Sequence, residues 1–181
     1  MTADGAQTTP RQLVSRVLAV ALCVFTLAQV NYPVLAPQPQ LAVFALLGLV
    51  ICFLNIPIHQ TLKDNAIAKA TDVVLAALAA LCCGWILVQN EPFFENLWQG
   101  GSSLGNRAGF ETSTDIVIGV IGLLIVIEAA RRSLGWALPI MSGLFLVYAF
   151  IGPSMPDWLF PHRGYSIERI VAQAFLQAQG T

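Results

Sequence analysis

The sequence predicts an all-α, polytopic integral membrane protein with four to five transmembrane helices and a C-terminal amphipathic helix. Hydrophobic residues make up 56% of the 181 residues, only 10% are charged, and the mean hydropathy is +0.71. A soluble domain of this size needs more polar surface to cover its core, whereas lipid removes that need. The apolar residues also gather in long runs bounded by charged residues, proline and glycine, as in helices that cross a bilayer.

Five apolar segments organise the chain. They are Leu13–Val30, Leu41–Ile58, Val73–Val88, Ile116–Ala130 and Leu134–Ile151. Three of them approach or exceed the roughly 17–25 residues of a spanning helix, and flanking residues can extend the other two. Because lipid-exposed backbone must bond within its own segment, these segments are expected to be helical. The predicted division is a disordered cytoplasmic tail at 1–12, a transmembrane domain at 13–152, and a loop with an amphipathic interfacial helix at 153–181.

Two points of topology stay open in the sequence. The first segment follows Arg11 and Arg16 and resembles a cleaved signal peptide, but it is long for that role and Pro37 would follow the cut, so we favour a retained span. Only Arg131-Arg132-Ser133 separates the fourth and fifth segments. A tight hairpin there gives five spans and an outside C-terminus, which we favour. A segment lying in the interface gives four spans and an inside C-terminus.

The distribution of lysine and arginine predicts the orientation in the membrane, and the net charge excludes a nucleic-acid partner. With a cytoplasmic N-terminus, more basic residues lie inside than outside, as the positive-inside rule requires. The inside set is Arg11, Arg16, Lys63, Lys69, Arg131 and Arg132, and the outside set is Arg107, Arg163 and Arg169. The net charge of −1 and the absence of a basic cluster exclude a nucleic-acid partner.

Charged residues near the segment ends are predicted to anchor the helices. Glu128 lies three and four residues before Arg131 and Arg132, so it can pair with either on a helix. We interpret these three as an interfacial ion-pair cluster whose arginines reach toward the headgroups, or as a contact with another membrane subunit. Asp72 and Asp115 each follow a threonine at the start of an apolar segment, and each is predicted to cap its helix.

The last element has an apolar face at helical spacing. Ser166 can cap this helix, and its face consists of Ile167, Ile170, Val171, Ala174 and Phe175. Because it is too short and too polar to span a bilayer, we expect it on the membrane surface or against a partner.

Small residues elsewhere predict close contacts between helices. They are Ala76, Ala80 and Gly84 on the third segment and Gly119 and Gly122 on the fourth.

No catalytic or cofactor-binding motif is visible in the sequence. His59 and His162 are the only histidines, and the four cysteines lie in apolar runs without metal-ligand spacing. No nucleotide-binding loop is present. No charged residue lies near the centre of an apolar segment, where ion and proton pathways usually have one. We therefore expect this chain to be no enzyme and to hold no cofactor and no metal.

Motifs in the second half of the chain resemble a known family. Arg107-Ala108-Gly109, then Asp115, then the run EAARRSLGW at 128–136 are similar to the small membrane region of TRAP transporters, the tripartite ATP-independent periplasmic family. The runs YAFIGP at 148–153 and HRGYSIER at 162–169 add to the resemblance, which covers about Arg11 to Phe175. The resemblance is greatest to the TAXI-type branch of this family. In that branch a small region is commonly fused ahead of a large transport region, which is missing here.

The resemblance implies a scaffold role in the bacterial inner membrane. A large TRAP membrane subunit would carry the substrate and sodium sites, and a soluble periplasmic solute-binding protein would deliver an organic acid or similar solute. The small subunit would pack against the large one and help to seat the binding protein. The outer loops Asn90–Ser113 and Pro153–Gly164 would then form the docking surface. Its candidate contacts are Glu91, Glu95, Arg107 and Glu111.

Two other functional classes compete with this interpretation. One is the small membrane subunit of a tripartite tricarboxylate-type carrier, which the neighbouring genes would distinguish. The other is a stand-alone membrane redox protein, which a haem or quinone spectrum of the purified chain would reveal.

Overall fold

The computed structural model describes residues 10–58, 66–152 and 163–177, and these residues form an all-α polytopic membrane protein. Six α-helices follow one another in the described parts of the chain. They are α1 (Pro10–Asn31), α2 (Pro37–Asn55), α3 (Ala66–Asn90), α4 (Ser113–Leu134), α5 (Ala137–Ile151) and α6 (Ile167–Val171). Most of the predicted tail, Lys63, both histidines and nearly all of the Pro153–Gly164 loop lie outside the described residues.

Four of these helices, α1 to α4, are long and apolar enough to cross a membrane. Helix α1 begins at Pro10, within the stretch predicted to be a disordered tail. Helix α2 begins at Pro37. Proline suits the first turn of a helix, because its fixed φ angle is already helical and its missing N–H would have no partner there.

Helix α5 is a shorter fifth helix that folds back along α4. Gly135 ends α4 with a φ of +81°, a conformation that favours glycine, and α5 starts two residues later. One groove is lined by Val120, Leu123 and Leu124 of α4 and by Leu146, Val147, Phe150 and Ile151 of α5, so the two helices are antiparallel. With 15 residues, α5 is about 22 Å long, which is shorter than the approximately 30 Å hydrocarbon core of a bilayer.

The bundle has two ends, which we name after the buried aspartate near each. At the Asp72 end lie the starts of α1, α3 and α5 and the ends of α2 and α4. At the Asp115 end lie the opposite helix ends and the 91–112 loop.

Between the two ends, one core cluster packs α2, α3 and α4 together and consists of Leu49, Phe53, Ala79, Cys82, Cys83, Ile125 and Ala129. In the predicted small-residue stripe of α3, Ala80 is exposed, because α3 packs through Ala79 and its neighbours instead.

The C-terminal segment, residues 167–176, packs against α4 at the Asp115 end. Helix α6 continues into one π-helical turn, Ala172–Leu176, and this turn changes the helical register. Ala172 and Leu176 are therefore buried, whereas Ala174, predicted to lie on the apolar face, is exposed. Leu176 packs with Ala42, Ile86, Leu104 and Ala172 in a second core cluster, so this element is more deeply packed than a surface helix.

Gly119 and Gly122 make this packing possible, as their small size predicts. A Cβ atom at Gly122 would lie 2.1 Å from the Phe175 ring, and one at Gly119 would lie 2.5 Å from Val171 Cγ1. Both distances are far below van der Waals contact. The two glycines thus form a slot on α4 into which the C-terminal segment fits.

Candidate functional site

Asp72 lies inside α3 and forms a buried bridge between two arginines. The helix begins at Ala66, more than one turn earlier, so the prediction that Asp72 caps the helix is wrong. The Asp72 Oδ2 atom accepts a hydrogen bond from Arg11 Nη2 at 2.9 Å, and Oδ1 accepts one from Arg132 Nη1 at 2.7 Å. Asp72 is 1% exposed, so its charge is balanced by these arginines and not by water.

The same two arginines also bind the end of α2. Arg11 donates to the carbonyl oxygens of Phe53 and Leu54, and Arg132 Nη1 donates to that of Ile56 at 3.1 Å. The last carbonyl groups of a helix have no partner within it and carry its negative dipole end, so they suit a guanidinium. This network, which we call the Asp72 cluster, joins α1, α2, α3 and α4.

Glu128 extends the Asp72 cluster along α4. Its carboxylate accepts hydrogen bonds from Arg131 Nε and Nη2, both at 2.7 Å, and from Arg132 Nε at 2.8 Å. The predicted ion pairs are therefore present. The expectation that both arginines reach toward the headgroups is wrong for Arg132, whose side chain is 0% exposed and lies 5.0 Å from the centre of the Phe53 ring. Arg131 stays nearer the surface, over the ring of Trp136.

Asp115 caps α4 as predicted. The Thr112 backbone N–H donates to Asp115 Oδ2 at 3.0 Å, and the Asp115 N–H donates to Thr112 Oγ1 at 3.4 Å. This reciprocal pair is a capping box, in which two unpaired donors of the first turn are satisfied.

Asp115 also organises a second buried network, which we call the Asp115 cluster. Its Oδ1 atom accepts from Trp85 Nε1 at 2.9 Å, and its Oδ2 atom lies 3.6 Å from Arg107 Nη2. Arg107 further donates to Gln89 Oε1 at 2.9 Å and to the Gln99 carbonyl at 2.7 Å. The cluster ties the 91–112 loop to the ends of α3 and α4.

Glutamine and asparagine at the end of α3 were not among the predicted site residues. Gln89 Nε2 donates to the Leu97 carbonyl, and its Oε1 also accepts from the Gln99 N–H. Asn90 Oδ1 accepts from the Gly105 N–H. The sequence does show two adjacent amide side chains at the end of an apolar run. Because each amide has both donors and acceptors, this pair could have indicated that they bind the backbone of the following loop.

Of the four residues predicted to contact a docked protein, one is exposed and three are buried or half-buried. Arg107 is 7% exposed and belongs to the Asp115 cluster, so it cannot contact a docked protein. Glu111 is half-buried, and its Oε1 accepts from the Gly109 N–H and from Gln177 Nε2. Glu91 is also half-buried, which leaves Glu95 as the exposed member of the predicted set. Beside it in the 91–112 loop, Phe93 and Phe110 are each 86% exposed.

The Asp, Glu, Lys and Arg side chains of the described spans all lie within two turns of a helix end, in or near the two clusters. Among the described residues, no group of His, Cys, Asp and Glu side chains is arranged to hold a metal ion. Most of the charged groups are satisfied by one another and by backbone carbonyls, which is an arrangement suited to fixing helices in place. The chain matches no protein-family model, no curated protein and no solved structure.

Proposed function

We propose that this chain is the small scaffold subunit of a tripartite secondary transporter in the bacterial inner membrane. The observation that carries the proposal is the position of its charges. The charged side chains lie at the two ends of the bundle, where the buried ones form ion pairs. The middle of the described spans has none, whereas ion-coupled carriers use ionisable groups at mid-depth. Transport would then take place in a larger membrane subunit, which would bind sodium and an organic acid or similar solute.

The exposed surfaces support a role that needs partners. No residue of α5 is buried, and α1 buries only Ser15 and Gln29 among its 22 residues. Lipid covers part of this apolar surface, and a large subunit would cover the rest. The proposed orientation has the N-terminus in the cytoplasm, because the Asp72 end carries more arginine and lysine than the Asp115 end in the described residues.

In this orientation the 91–112 loop faces the periplasm and would help to seat the solute-binding protein. Its exposed Phe93, Glu95 and Phe110 form the proposed contact surface. Exposed aromatic side chains are frequent anchors at protein interfaces, and an exposed carboxylate adds electrostatic complementarity to a basic patch.

We expect Glu95→Lys and Phe93→Ser each to reduce binding-protein-dependent uptake by about tenfold in cells that lack the native copy of this chain. The loss follows from removing an interface anchor or reversing its charge, which typically costs about 1–2 kcal/mol. Uptake of radiolabelled solute, with the amount of the chain in the membrane measured in parallel, checks the prediction.

Arg16→Gln is the matched control, because Arg16 is exposed at the Asp72 end. It should leave uptake unchanged. Equal uptake by the wild type, Glu95→Lys and Phe93→Ser would show that this loop does not seat the binding protein.

A further inference from the structure

A polar cleft lies at the Asp115 end, between the 91–112 loop and residues 166–177. Its volume is about 430 Å³, and most of the residues that line it are polar or charged. They are Glu111, Ser166, Glu168, Arg169, Gln173 and Gln177. Ala108, Gly109 and Ala172 complete the lining, and their small size leaves room for a side chain that enters from outside. Such a lining favours a charged or hydrogen-bonding occupant over an apolar one, because polar groups that lose water need new partners.

The side chains of the cleft leave one negative charge in excess. Glu111 and Glu168 contribute two carboxylates, and Arg169 contributes the one guanidinium. Neither carboxylate forms an ion pair with a described residue, whereas both buried aspartates of the bundle do. A cation that enters the cleft would therefore meet two carboxylates that no described cation neutralises, and its hydrogen bonds to them would be charge-assisted.

One of the two carboxylates is already held in place. Glu111 Oε1 accepts hydrogen bonds from the Gly109 N–H at 3.0 Å and from Gln177 Nε2 at 3.1 Å, and its Oε2 atom accepts none from the described residues. Arg169 is oriented too, since its guanidinium lies 5.8 Å from the centre of the Tyr165 ring. Side chains that are ordered before binding lose less conformational entropy in the complex, so this arrangement favours association.

The cleft borders the proposed contact surface of the 91–112 loop. Phe110, which is 86% exposed, lies between Gly109 and Glu111 in the chain, and both of these line the cleft. Glu168, on the wall formed by residues 166–177, is also exposed. An aromatic anchor with polar groups around it is the usual arrangement at protein interfaces. The contact surface therefore continues from the loop onto the C-terminal segment.

We propose that the cleft receives a lysine or arginine side chain of the solute-binding protein, and that Glu111 and Glu168 pair with it. This inference rests on the proposed function, because it extends the surface at which the binding protein docks. A basic side chain complements the negative excess of the cleft, whereas an acidic one would meet two like charges. Such a pairing would fix the orientation of the docked protein beside Phe110.

The test measures the concentration of binding protein that half-maximal uptake requires. Spheroplasts that carry the chain or a variant are washed free of soluble periplasmic protein, and the soluble protein that restores uptake is purified from the wash and added back. We expect Glu168→Lys to raise this concentration about tenfold and Glu168→Gln to raise it about threefold, since an attractive charge is reversed or removed. Arg169→Gln should lower it about threefold, because a like charge beside the basic side chain is removed.

The opposite signs separate this pairing from an effect on folding, which would impair uptake whichever charge is removed. Arg16→Gln is the matched control, because Arg16 is exposed at the Asp72 end, and it should behave as the wild type does. The amount of each variant in the membrane is measured in parallel.

Glu168 variants that behave as the wild type would overturn the proposal, and so would an Arg169→Gln variant that needs more binding protein. If Phe93→Ser still raised the required concentration in that case, the loop would dock the binding protein without the cleft, and the proposed function would stand. If uptake required no added protein at all, the proposed function itself would fail, and this inference with it.

Discussion

Replacing Asp72 by asparagine is expected to destabilise the bundle by about 3–5 kcal/mol. The substitution removes the one carboxylate that bridges Arg11 and Arg132, and the Arg132 side chain is 0% exposed. Arg132 would keep Glu128 as a partner, but a buried cation that loses one of its two carboxylates keeps its full desolvation cost. Breaking a buried pair therefore costs far more than breaking a surface pair. Unfolding of the purified chain in mixed micelles, followed by circular dichroism, measures the loss.

A double variant separates this pairing from a simple packing effect. Asp72→Asn combined with Arg132→Gln should be less destabilising than the sum of the two single changes, because either change alone already removes the ion pair between these two side chains. Glu95→Gln is the matched control, since Glu95 is exposed, and it should change stability by less than about 0.5 kcal/mol. If Asp72→Asn were as mild as this control, the Asp72 cluster would not hold the helices together.

Replacing Asp115 by alanine is expected to cost a similar 3–5 kcal/mol and to free the 91–112 loop. The change removes a capping box, the Trp85 hydrogen bond and the anion beside Arg107, which is 7% exposed. Arg107 is the only lysine or arginine of that loop, so it is also its only trypsin site. We expect cleavage after Arg107 to accelerate in Asp115→Ala, and gel analysis of timed digests measures the rate.

Asp115→Asn distinguishes the two roles of this side chain. Asparagine keeps a side-chain oxygen that can accept the Thr112 N–H but carries no charge, so this variant should keep the capping box of α4 while the attraction to Arg107 is lost. Its stability and trypsin resistance should lie between those of the wild type and Asp115→Ala. Rapid cleavage of the wild type after Arg107 would contradict the buried position of this arginine.

The sequence was sufficient for features whose causes are local. The four long helices follow from apolar runs of spanning length, and the Asp115 cap follows from an aspartate at the start of an apolar segment. The threonine that it pairs with is Thr112, three residues earlier, and not the adjacent Thr114. Glu128 pairs with Arg131 and Arg132 because residues three and four apart on a helix are neighbours. Gly119 and Gly122 predicted a close contact, although the sequence did not indicate that the C-terminal segment would form it.

Features that depend on contacts between residues far apart in sequence, or on an irregular helical turn, were not predicted or were predicted wrongly. Asp72 looked like a cap because the apolar run starts at Val73, but α3 begins earlier, and the partners Arg11 and Arg132 lie about 60 residues away in sequence. Arg107 was predicted to contact a docked protein, but tertiary folding brings Gln89 and Asp115 to it and buries it. The π-helical turn after α6 shifted the buried face from Ala174 to Ala172 and Leu176, which no regular helical period predicts.

The scaffold role is tested most directly by what co-purifies with this chain from native membranes in mild detergent. With an affinity tag on the chain, we predict that a larger polytopic membrane protein is recovered in equimolar amount, and that mass spectrometry identifies it as a secondary transporter subunit. Recovery of the chain alone and monomeric, under conditions that leave other membrane complexes intact, would contradict the scaffold role.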